Sequence, residues 1–363
     1  MPPAPSTSRI LIYAGSRNPL LDQLQRHLSQ RGLVFQLQSV EPRPAKGRIA
    51  TWLSVLLAAR DGFSNTGKAQ YDAASFHFFS PSALLVAAAT ALSGRPYSVH
   101  FWGSDFKYWR SRNNPLLRWV LRRARFVSFA NSALLSEARS LWGSKVRLVT
   151  LRFGLDSLDA IDALRESRGS HGLQAQRHAE FKTVVVGTNS QRAQQHAAII
   201  QQLAELPIEV RQRCNFIFPL NYGDRANRLE VLRLLSTAPF TYEVLDRMIF
   251  GAELAEFRQS TDILIQIQRH DALSGAMLES LYAGACVITG RWLPYDDLRK
   301  AGVDWIEVES ASDVAEALNE ALNRTVDTDR NERIASSLGR WSLVAEEWLG
   351  HYRRTIEEGR RDT

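Results

Sequence analysis

The chain has 363 residues, 45% of them apolar, and carries a formal net charge of +7 with a pI of about 9.6. This length predicts two domains that each bury a core, and the apolar fraction is ordinary for a globular protein. No uninterrupted run of about 18 apolar residues occurs, so we expect no membrane-spanning segment. We expect residues 1–9 to be a disordered lead-in rather than a secretion signal. Cys214 and Cys286 are expected to be buried thiols of a cytoplasmic protein rather than a disulfide.

Short apolar runs alternate with helical segments along the chain, which predicts an α/β protein with parallel sheets. In the first half the predicted strands cover residues 10–14, 33–40, 76–79, 97–101, 126–130 and 146–151. The predicted helices between them cover residues 18–30, 82–92, 115–125 and 133–141. The polar segment 156–180 has weak hydrophobic periodicity, so we expect a connection between domains with a short helix at its start.

A second series of strands and helices follows this connection. Its predicted strands cover residues 183–186, 216–220, 242–245, 263–267, 286–289 and 305–308. The last segment is helical in pattern and is expected to cross back to the first domain. We therefore predict Rossmann-like domains over residues 1–165 and 180–330, with a C-terminal helical segment over 331–363.

Positive charge is concentrated in two stretches of the first half that contain no acidic residue, 42–60 and 106–136. In both stretches, arginine or lysine is interleaved with tryptophan and leucine. One interpretation is a helix such as 115–125 that buries its apolar face and solvates its arginines. The other is a face made of 42–60 and 106–125 that lies on an anionic membrane, with tryptophan and leucine in the headgroup region. No recognition module for nucleic acid is visible.

The segment 268–290 predicts a turn, a helix and a strand, with Asp271 in the turn and Glu279 inside the helix. A helix N-terminus offers free backbone N–H groups and positive dipole charge to an anion such as a diphosphate. A carboxylate about one turn further along can accept hydrogen bonds from ribose or sugar hydroxyls. One segment can thus hold both halves of a nucleotide-sugar, although both acids also fit ordinary helix positions in contact with solvent.

The same segment resembles the signature of family-four-type glycosyltransferases of the GT-B fold, in which two Rossmann-like domains face each other across a cleft. That signature is an acid, seven residues, a glutamate, a small-residue helix end, a glycine and an apolar strand. The resemblance implies that Glu279 binds the donor ribose and that Asp271 contacts the transferred sugar. N–H groups around Ser274 and Gly275 would contact the phosphates. Asp271 departs from the usual first glutamate, and Gly275 lies one position later than usual.

The segment 100–105, which reads HFWGSD at the end of a predicted strand, resembles a stretch of bacterial polysaccharide glycosyltransferases. It is also similar to the family-fifty-six N-acetylfucosaminyltransferases of enterobacterial common antigen. The resemblance implies that His100 and Asp105 face the cleft as catalytic candidates. Their structural alternatives are a hydrogen-bonded histidine at a strand end and a helix N-cap.

Residues 187–196 follow the first strand of the second domain and resemble the phosphate-binding stretch of the fucosaminyltransferases. The candidate donor-binding residues there are Gly187, Asn189, Ser190, Arg192 and His196. A fixed arginine suits charge that develops on a leaving diphosphate, whereas a solvated Arg192 beside a helix cap is the plain alternative.

Two further positions are weaker candidates for ligand contacts. Tyr222 follows the next strand and resembles a tyrosine of the fucosaminyltransferases that packs near the base or phosphates. Gly15 and Ser16 follow the first strand and would line an acceptor cleft, although a plain strand-to-helix turn explains them equally. The pair Asp327 and Asp329 has the Asp-x-Asp spacing of metal-dependent enzymes. It lies in a polar connection before the last helix, so we expect no metal and no cofactor.

We therefore expect a metal-independent glycosyltransferase that moves a sugar from a nucleotide diphosphate donor to a lipid-linked or glycan acceptor. It would act in cell-surface polysaccharide synthesis on the inner face of the cytoplasmic membrane. Retaining and inverting stereochemistry both remain open at this point. A nucleotide-sugar epimerase or hydrolase on the same fold, and a non-catalytic membrane-associated partner protein, are the alternative functions.

Overall fold

The computed structural model of this chain describes residues 8–14, 18–40, 49–50, 53–57, 59–60, 71–177 and 181–362. The chain forms two compact units. Unit 1 consists of Met1–Gly154 together with Trp341–Thr363, and unit 2 consists of Leu155–Arg340. Each unit has its own parallel sheet and its own core.

Unit 1 is built on a six-stranded parallel sheet. Its strands are β1 (Ser8–Ala14), β2 (Leu33–Ser39), β3 (Ala73–His77), β4 (Tyr97–His100), β5 (Phe126–Phe129) and β6 (Leu148–Thr150), in the order β2-β1-β3-β4-β5-β6. Its helices are α1 (Pro19–Ser29), α2 (Pro81–Leu92), α3 (Ser104–Arg110), α4 (Pro115–Arg123) and α5 (Ser132–Trp142). Residues 53–57 are also helical.

Three helices of unit 1 begin where the sequence supplies a cap and a proline. Asn18, Ser80 and Asn114 each accept a hydrogen bond from a backbone N–H of the following first turn, and each precedes a proline. Proline fits the first helical position because its φ angle is already helical and the missing N–H has no partner there. These caps fix the direction in which each helix leaves its strand.

The C-terminal helix of the chain belongs to unit 1. It is Trp341–Asp362, and its side chains Trp341, Trp348 and Tyr352 are buried in one core with Ile10 and Ile12 of β1. The chain thus returns to the first unit at its end, which confirms the prediction that a C-terminal helix crosses back.

Unit 2 carries the second six-stranded parallel sheet. Its strands are β7 (Lys182–Val186), β8 (Cys214–Pro219), β9 (Tyr242–Leu245), β10 (Ile263–Gln266), β11 (Cys286–Gly290) and β12 (Ile306–Val308). Its helices are α6 (Asp156–Arg177), α7 (His196–Glu205), α8 (Ile208–Arg211), α9 (Arg225–Leu235), α10 (Gly251–Ser260), α11 (Gly275–Ala283), α12 (Asp296–Ala301), α13 (Val314–Asn323) and α14 (Thr328–Gly339). The C-terminal helix of unit 1, Trp341–Asp362, is α15.

The strand order of this second sheet is β12-β11-β10-β7-β8-β9. Read from the other edge it is the doubly wound order 3-2-1-4-5-6, with the reversal of strand order between β7 and β10. In such sheets ligands bind outside the carboxyl ends of the strands at this switch point. The predicted α/β class with two Rossmann-like parallel sheets is confirmed.

Segment 156–180 differs from its expected form. In place of a connection with a short helix, α6 runs over 22 residues. Leu158 and Ile161 are fully buried near its start and anchor it to unit 2. Gly169 and Gly172, which have poor helix propensity, explain why the sequence pattern favoured a connection.

Candidate functional site

The loop after β7 passes the switch point of the second sheet with a strained backbone. Gly187 has φ +69°, and a Cβ atom on it would lie 2.7 Å from Nε2 of His196. The His196 ring is 2% exposed, and neither of its nitrogens has a hydrogen-bond partner among the described residues. Burial lowers the pKa of His196 to about 4, so the ring is neutral at pH 7. The close approach of loop and ring therefore requires glycine at position 187.

The loops after β7 and β8 are joined by hydrogen bonds. The Ser190 N–H and hydroxyl both donate to the Tyr222 carbonyl oxygen, each over 2.8 Å. The Asn189 amide donates to the Tyr222 hydroxyl over 3.2 Å, while its own Oδ1 accepts from the Gln191 N–H. Asn189 and Ser190 are buried, whereas Tyr222 is 51% exposed. The predicted donor-side residues of these two loops thus lie together, with the tyrosine ring at the surface.

Arg192 lies at the surface of this cluster and is paired with an acid. Its Nε donates to Oδ2 of Asp224 over 3.0 Å, and its side chain is 64% exposed. Asp224 is the N-cap of α9 and accepts from the backbone N–H groups of Ala226 and Asn227. The Asn227 N–H, followed by the Arg192 guanidinium, holds the pKa of Asp224 below its usual value. A phosphate that binds Arg192 would therefore compete with Asp224.

Two glutamines connect the loops on either side of the switch point. The Gln194 amide donates to Oε1 of Gln268 over 2.8 Å, and its oxygen accepts from the Thr188 N–H over 3.2 Å. The Arg269 N–H donates to the Ala193 carbonyl over 2.8 Å. Both glutamines are buried. The β7 and β10 loops therefore form one rigid surface.

Asp271 and Ser274 lie at the carboxyl end of β10, before α11. Asp271 accepts a hydrogen bond from the Tyr295 hydroxyl, and burial raises the pKa of its carboxyl although that bond opposes the shift. Ser274 is the N-cap of α11, accepts from the Met277 N–H over 3.2 Å and donates to Oε1 of Gln266. The first N–H groups of α11, from Gly275 onward, have no intrahelical acceptor, as at any helix start.

Glu279 lies one turn into α11, with both carboxylate oxygens bound inside unit 2. Oε1 accepts from the Ser157 hydroxyl over 2.7 Å, and Oε2 accepts from Arg258 Nε over 2.9 Å. Glu279 and Arg258 are 8% and 7% exposed. The seven-residue spacing from Asp271 therefore places the two acids in different surroundings: Asp271 at the sheet edge, Glu279 in an ion pair with α10.

His100 lies in the interior of unit 1, which differs from the expectation that it faces a ligand. Its Nε2 is 2.8 Å from the Ser98 hydroxyl, its Nδ1 is 2.6 Å from the Ser128 hydroxyl, and its ring stacks on His77 at 4.3 Å. Burial, with His77 and His351 nearby, lowers the pKa of His100 well below its usual value. The ring is covered because α15 packs over this face of the sheet through Trp348.

Asp105 holds two loops of unit 1 together. Its Oδ1 accepts from the N–H groups of Trp102, Gly103 and Phe106, and its Oδ2 accepts from the Phe79 N–H. Burial raises the pKa of Asp105 to about 6 despite these four donors. The contacts of Asp105 are thus those of an acid at a helix start, the structural alternative given by the sequence. The bond from the Phe79 N–H adds a link to the loop after β3.

The remaining predictions concern the acceptor cleft, the Asp-x-Asp pair and the membrane. Gly15 and Ser16 lie outside the described residues. Asp327 caps α14 by accepting from the Arg330 N–H over 3.0 Å. Within the described ranges, no three histidine, cysteine or acidic side chains gather as a metal site would require. None of the described helices has both the length and the hydropathy of a bilayer-spanning segment.

The structure brings together the residues predicted after the strands of unit 2: Gly187, Asn189, Ser190, Arg192, His196, Tyr222, Asp271, Ser274 and Gly275. It adds Gln194, Gln268, Asp224 and Tyr295, which were not among the predicted residues. A signal for Gln268 was present, since it lies two residues beyond the end of β10. Gln194 carries no such signal, because it lies eight residues beyond the end of β7. Asp224 and Tyr295 were harder to find because their partners are distant in sequence.

The fold is shared with solved glycosyltransferase structures. Sucrose-phosphate synthase from Thermosynechococcus elongatus superposes with a TM-score of 0.75 at 12% identity, covering 97% of this chain and 100% of that chain. HepE from Anabaena, in complex with UDP and glucose, gives 0.67 at 14% identity, covering 96% and 100%. A UDP-forming trehalose-phosphate synthase from Burkholderia xenovorans gives 0.70 at 11% identity, covering 96% and 99%. No family model and no curated protein matches the sequence. At these identities the comparison shows the fold, and it confirms the predicted GT-B class.

Proposed function

We propose that this chain is a glycosyltransferase that takes a sugar from a nucleotide diphosphate-sugar and passes it to a lipid-linked or glycan acceptor. The observation that carries the proposal is the joined set of polar loops at the switch point of the second sheet. This set lies beside the N-terminus of α11, where an anion is favoured by free N–H groups and the helix dipole. The fold relative HepE, whose structure contains UDP and glucose, supports a nucleotide-sugar as the ligand class.

The donor diphosphate would lie between the α11 N-terminus and Arg192. The N–H groups near Ser274 and Gly275 would face one phosphate, and the guanidinium would leave Asp224 to bind the other. These groups supply positive charge where the leaving diphosphate gains negative charge, which is the role a divalent cation has in other enzymes. On this basis we propose a metal-independent reaction.

The remaining donor contacts follow from position. Tyr222 presents an exposed ring at the β8 end and would pack on the base or ribose, with Asn189 holding its hydroxyl. Asp271 lies at the β10 end, where it would contact the transferred sugar. Glu279 is expected to bind the ribose by resemblance. Its ion pair with Arg258 means that a ribose hydroxyl would share an oxygen already bonded to the protein.

The catalytic candidates are Asp105, His100 and Asp271. A pKa near 6 would suit Asp105 as a general base for an inverting reaction, since an effective base titrates close to the working pH. Asp271 would serve a retaining reaction, in which it orients the sugar. Because His100 is 1% exposed, we expect its substitution to disturb the packing of unit 1.

A binding panel tests the donor proposal. Thermal shift and calorimetry are run with UDP, GDP and TDP and their sugars. Nucleotides of one base should raise the melting temperature of the chain, because a ligand of the folded state raises apparent stability. Arg192→Ala should weaken binding of the diphosphate by about tenfold or more and leave the nucleoside nearly unchanged. The charge-matched control is Arg233→Ala in α9. Equal losses for nucleoside and diphosphate would remove Arg192 from the phosphate site.

A product assay separates transfer from the other reactions of the same fold. The donor incubated without acceptor should remain largely intact, because water is a poor substitute for a bound acceptor. Rapid hydrolysis or epimerisation of the donor would support the alternative enzyme classes. Absence of binding to every nucleotide diphosphate would favour a non-catalytic partner protein.

We also propose that unit 1 works at the inner surface of the cytoplasmic membrane. Leu116 of α4 and Tyr108 of α3 are 38% and 40% exposed, and Arg118 and Arg122 of α4 are exposed as well. The described part of segment 42–60 adds four exposed apolar side chains, Ile49, Leu53, Leu56 and Leu57. Exposed leucines and arginines in the same two stretches support a surface that enters anionic headgroups.

Vesicle sedimentation tests the membrane proposal. The chain should bind vesicles of phosphatidylglycerol and leave phosphatidylcholine vesicles unbound. The double variant Arg118→Glu and Arg122→Glu should reduce binding by roughly thirtyfold or more, since each basic residue near such a surface contributes about 1 kcal/mol. The control is Arg233→Glu and Arg333→Glu in unit 2. Equal loss in both double variants would point to net charge rather than a defined face.

A further inference from the structure

One tryptophan of unit 2 stands out because it is both exposed and fixed. Trp292 follows β11 and, at 39%, is the most exposed tryptophan among the described residues. A large aromatic surface left in solvent costs free energy unless something covers it, and exposed tryptophans are enriched where ligands and partners bind. Trp292 was not a site candidate on sequence grounds.

The indole is held at two places. Its Nε1 donates to the Gln268 carbonyl oxygen over 2.9 Å. Its six-membered ring lies against Gly290, where a Cβ atom would be 2.4 Å from Cζ2 and 2.5 Å from Cε2. Because one side of the ring rests on backbone and the polar atom is already bonded, the exposed area belongs to the rest of the indole surface. The ring is thus a preformed platform rather than a free side chain.

The turn that carries Trp292 is also fixed. The Leu293 N–H donates to the Gly290 carbonyl over 3.1 Å, and Arg299 donates to the carbonyl oxygens of Arg291 and Leu293 over 2.9 and 3.1 Å. A ring held in this way loses little conformational entropy when a ligand covers it.

Trp292 adjoins the residues assigned to the transferred sugar. It bonds to Gln268, whose side chain also contacts Asp271, and Tyr295 of the same turn donates to the Asp271 carboxylate. Strand β11 is the direct neighbour of β10, so the 291–295 turn and the 267–274 loop lie side by side at one sheet edge. Gln268 in turn bonds Gln194 at the switch point.

We propose that Trp292 is the specificity platform for the sugar ring of the donor. The C–H face of a pyranose is apolar and carries partial positive charge, which complements the negative face of an indole. The hydroxyl edge of the same ring would meet the polar groups of Asp271 and Gln268, so a sugar satisfies both kinds of surface. A lipid chain would offer those polar groups no hydrogen bond in place of the water it displaces. This inference rests on the proposed function and adds the group that selects the sugar.

The test compares a nucleotide with its sugar conjugate. Calorimetry is run with UDP and UDP-glucose, and with GDP and GDP-mannose, on the whole chain and on Trp292→Ala. Affinity for the sugar conjugate should fall about tenfold, equivalent to about 1.4 kcal/mol at 25 °C, and affinity for the free diphosphate should stay within about twofold. Trp292→Phe should lie between, because it keeps a ring but loses the bond to Gln268.

The matched control is Phe181→Ala, which removes a 63% exposed aromatic ring just before β7. Phe181 therefore lies at the amino-terminal end of that strand, whereas Trp292 follows the carboxyl end of β11. It should change neither affinity, and circular dichroism should show that all variants are folded. Equal losses of affinity for UDP and UDP-glucose in Trp292→Ala would mean that the indole contacts the base or phosphates, and would overturn the inference. Unchanged affinities would overturn it too. A wild-type chain that binds none of the four probes, nor TDP or a TDP-sugar, would instead overturn the proposed function, and the inference with it.

Discussion

Nε of Arg258 donates to Oε2 of Glu279 over 2.9 Å, with side chains that are 8% and 10% exposed. This ion pair joins α10 to α11, the helix whose N-terminus is assigned to the diphosphate. Its buried position gives Glu279 a part in the stability of unit 2 that the seven-residue acid spacing does not reveal.

The first prediction concerns the loss of that pair. Glu279→Ala leaves a buried guanidinium without its counterion, so the free energy of unfolding of unit 2 should fall by about 3–5 kcal/mol. Urea denaturation followed by circular dichroism measures the change. Glu279→Gln, which keeps an acceptor for Arg258, should lose less. A Glu279→Ala chain that is as stable as wild type but fails to bind nucleotide would assign Glu279 to the ligand alone.

A second prediction follows from the competition between phosphate and Asp224 for Arg192. Asp224→Asn removes the competing charge and keeps an oxygen that caps α9. Affinity for nucleotide diphosphates should rise by up to about fivefold, the range expected when an exposed pair is released. Calorimetry with the base found in the binding panel provides the measurement. An unchanged or weaker affinity would mean that Arg192 does not exchange partners.

The third prediction is that unit 1 is destabilised by mild acid. Burial lowers the pKa of His77 to about 3, and that of His100 well below 6.5, so the unfolded chain binds more protons as pH falls below about 6.5. His351 adds to this, because burial also lowers its pKa. Asp105 opposes it, since a pKa raised to about 6 makes the folded state the better proton acceptor between about pH 4 and 6.

The balance of these groups sets the size of the effect. Each buried histidine costs about 1.4 kcal/mol at pH 5.5, and Asp105 returns roughly 0.8 kcal/mol, so unit 1 should lose about 2 kcal/mol between pH 7.5 and 5.5. Denaturation curves at the two pH values measure this loss. His77→Gln should reduce this loss from about 2 to about 0.6 kcal/mol. A stability that is flat across this range would show that the two rings can be protonated within the fold.

The fourth prediction compares two glycines of unit 2. Gly302→Ala meets no atom within 4 Å and should cost about 1 kcal/mol, the cost of a left-handed alanine. Gly187→Ala has the same backbone cost and also places its Cβ 2.7 Å from His196 Nε2. We expect Gly187→Ala to be clearly more destabilising in thermal denaturation. His196→Ala in the same chain should recover part of the difference. Equal costs for the two glycines would indicate that the loop moves freely.

The fold could be predicted because each strand is a short apolar run followed by a turn and a helix start. Asn18-Pro19 and Asn114-Pro115, for example, mark helix starts that the structure confirms as caps. Segment 156–177 was harder, because its helix is stabilised by buried Leu158 and Ile161 rather than by its own periodicity.

The candidate site was predictable only in part. Residues in the loops that follow strands, such as Ser274, could be placed because parallel strands bring their carboxyl ends to one side of the sheet. Their partners could not be placed, since Asp224 lies 32 residues from Arg192 and Ser157 lies 122 residues from Glu279. His100 shows the same limit: the helix that covers it comes from the far end of the chain.

That last helix also has a consequence for the order of folding during synthesis. Unit 2 is a single continuous segment and is complete once Arg340 has been made, whereas unit 1 needs both ends of the chain. During synthesis, the core around Ile10 and Ile12 therefore stays incomplete until Trp348 and Tyr352 emerge, because before then this core can be covered only by earlier elements such as α1. A chain that stops after Arg340 should keep a protease-resistant unit 2 and lose a protected unit 1, which limited proteolysis would detect.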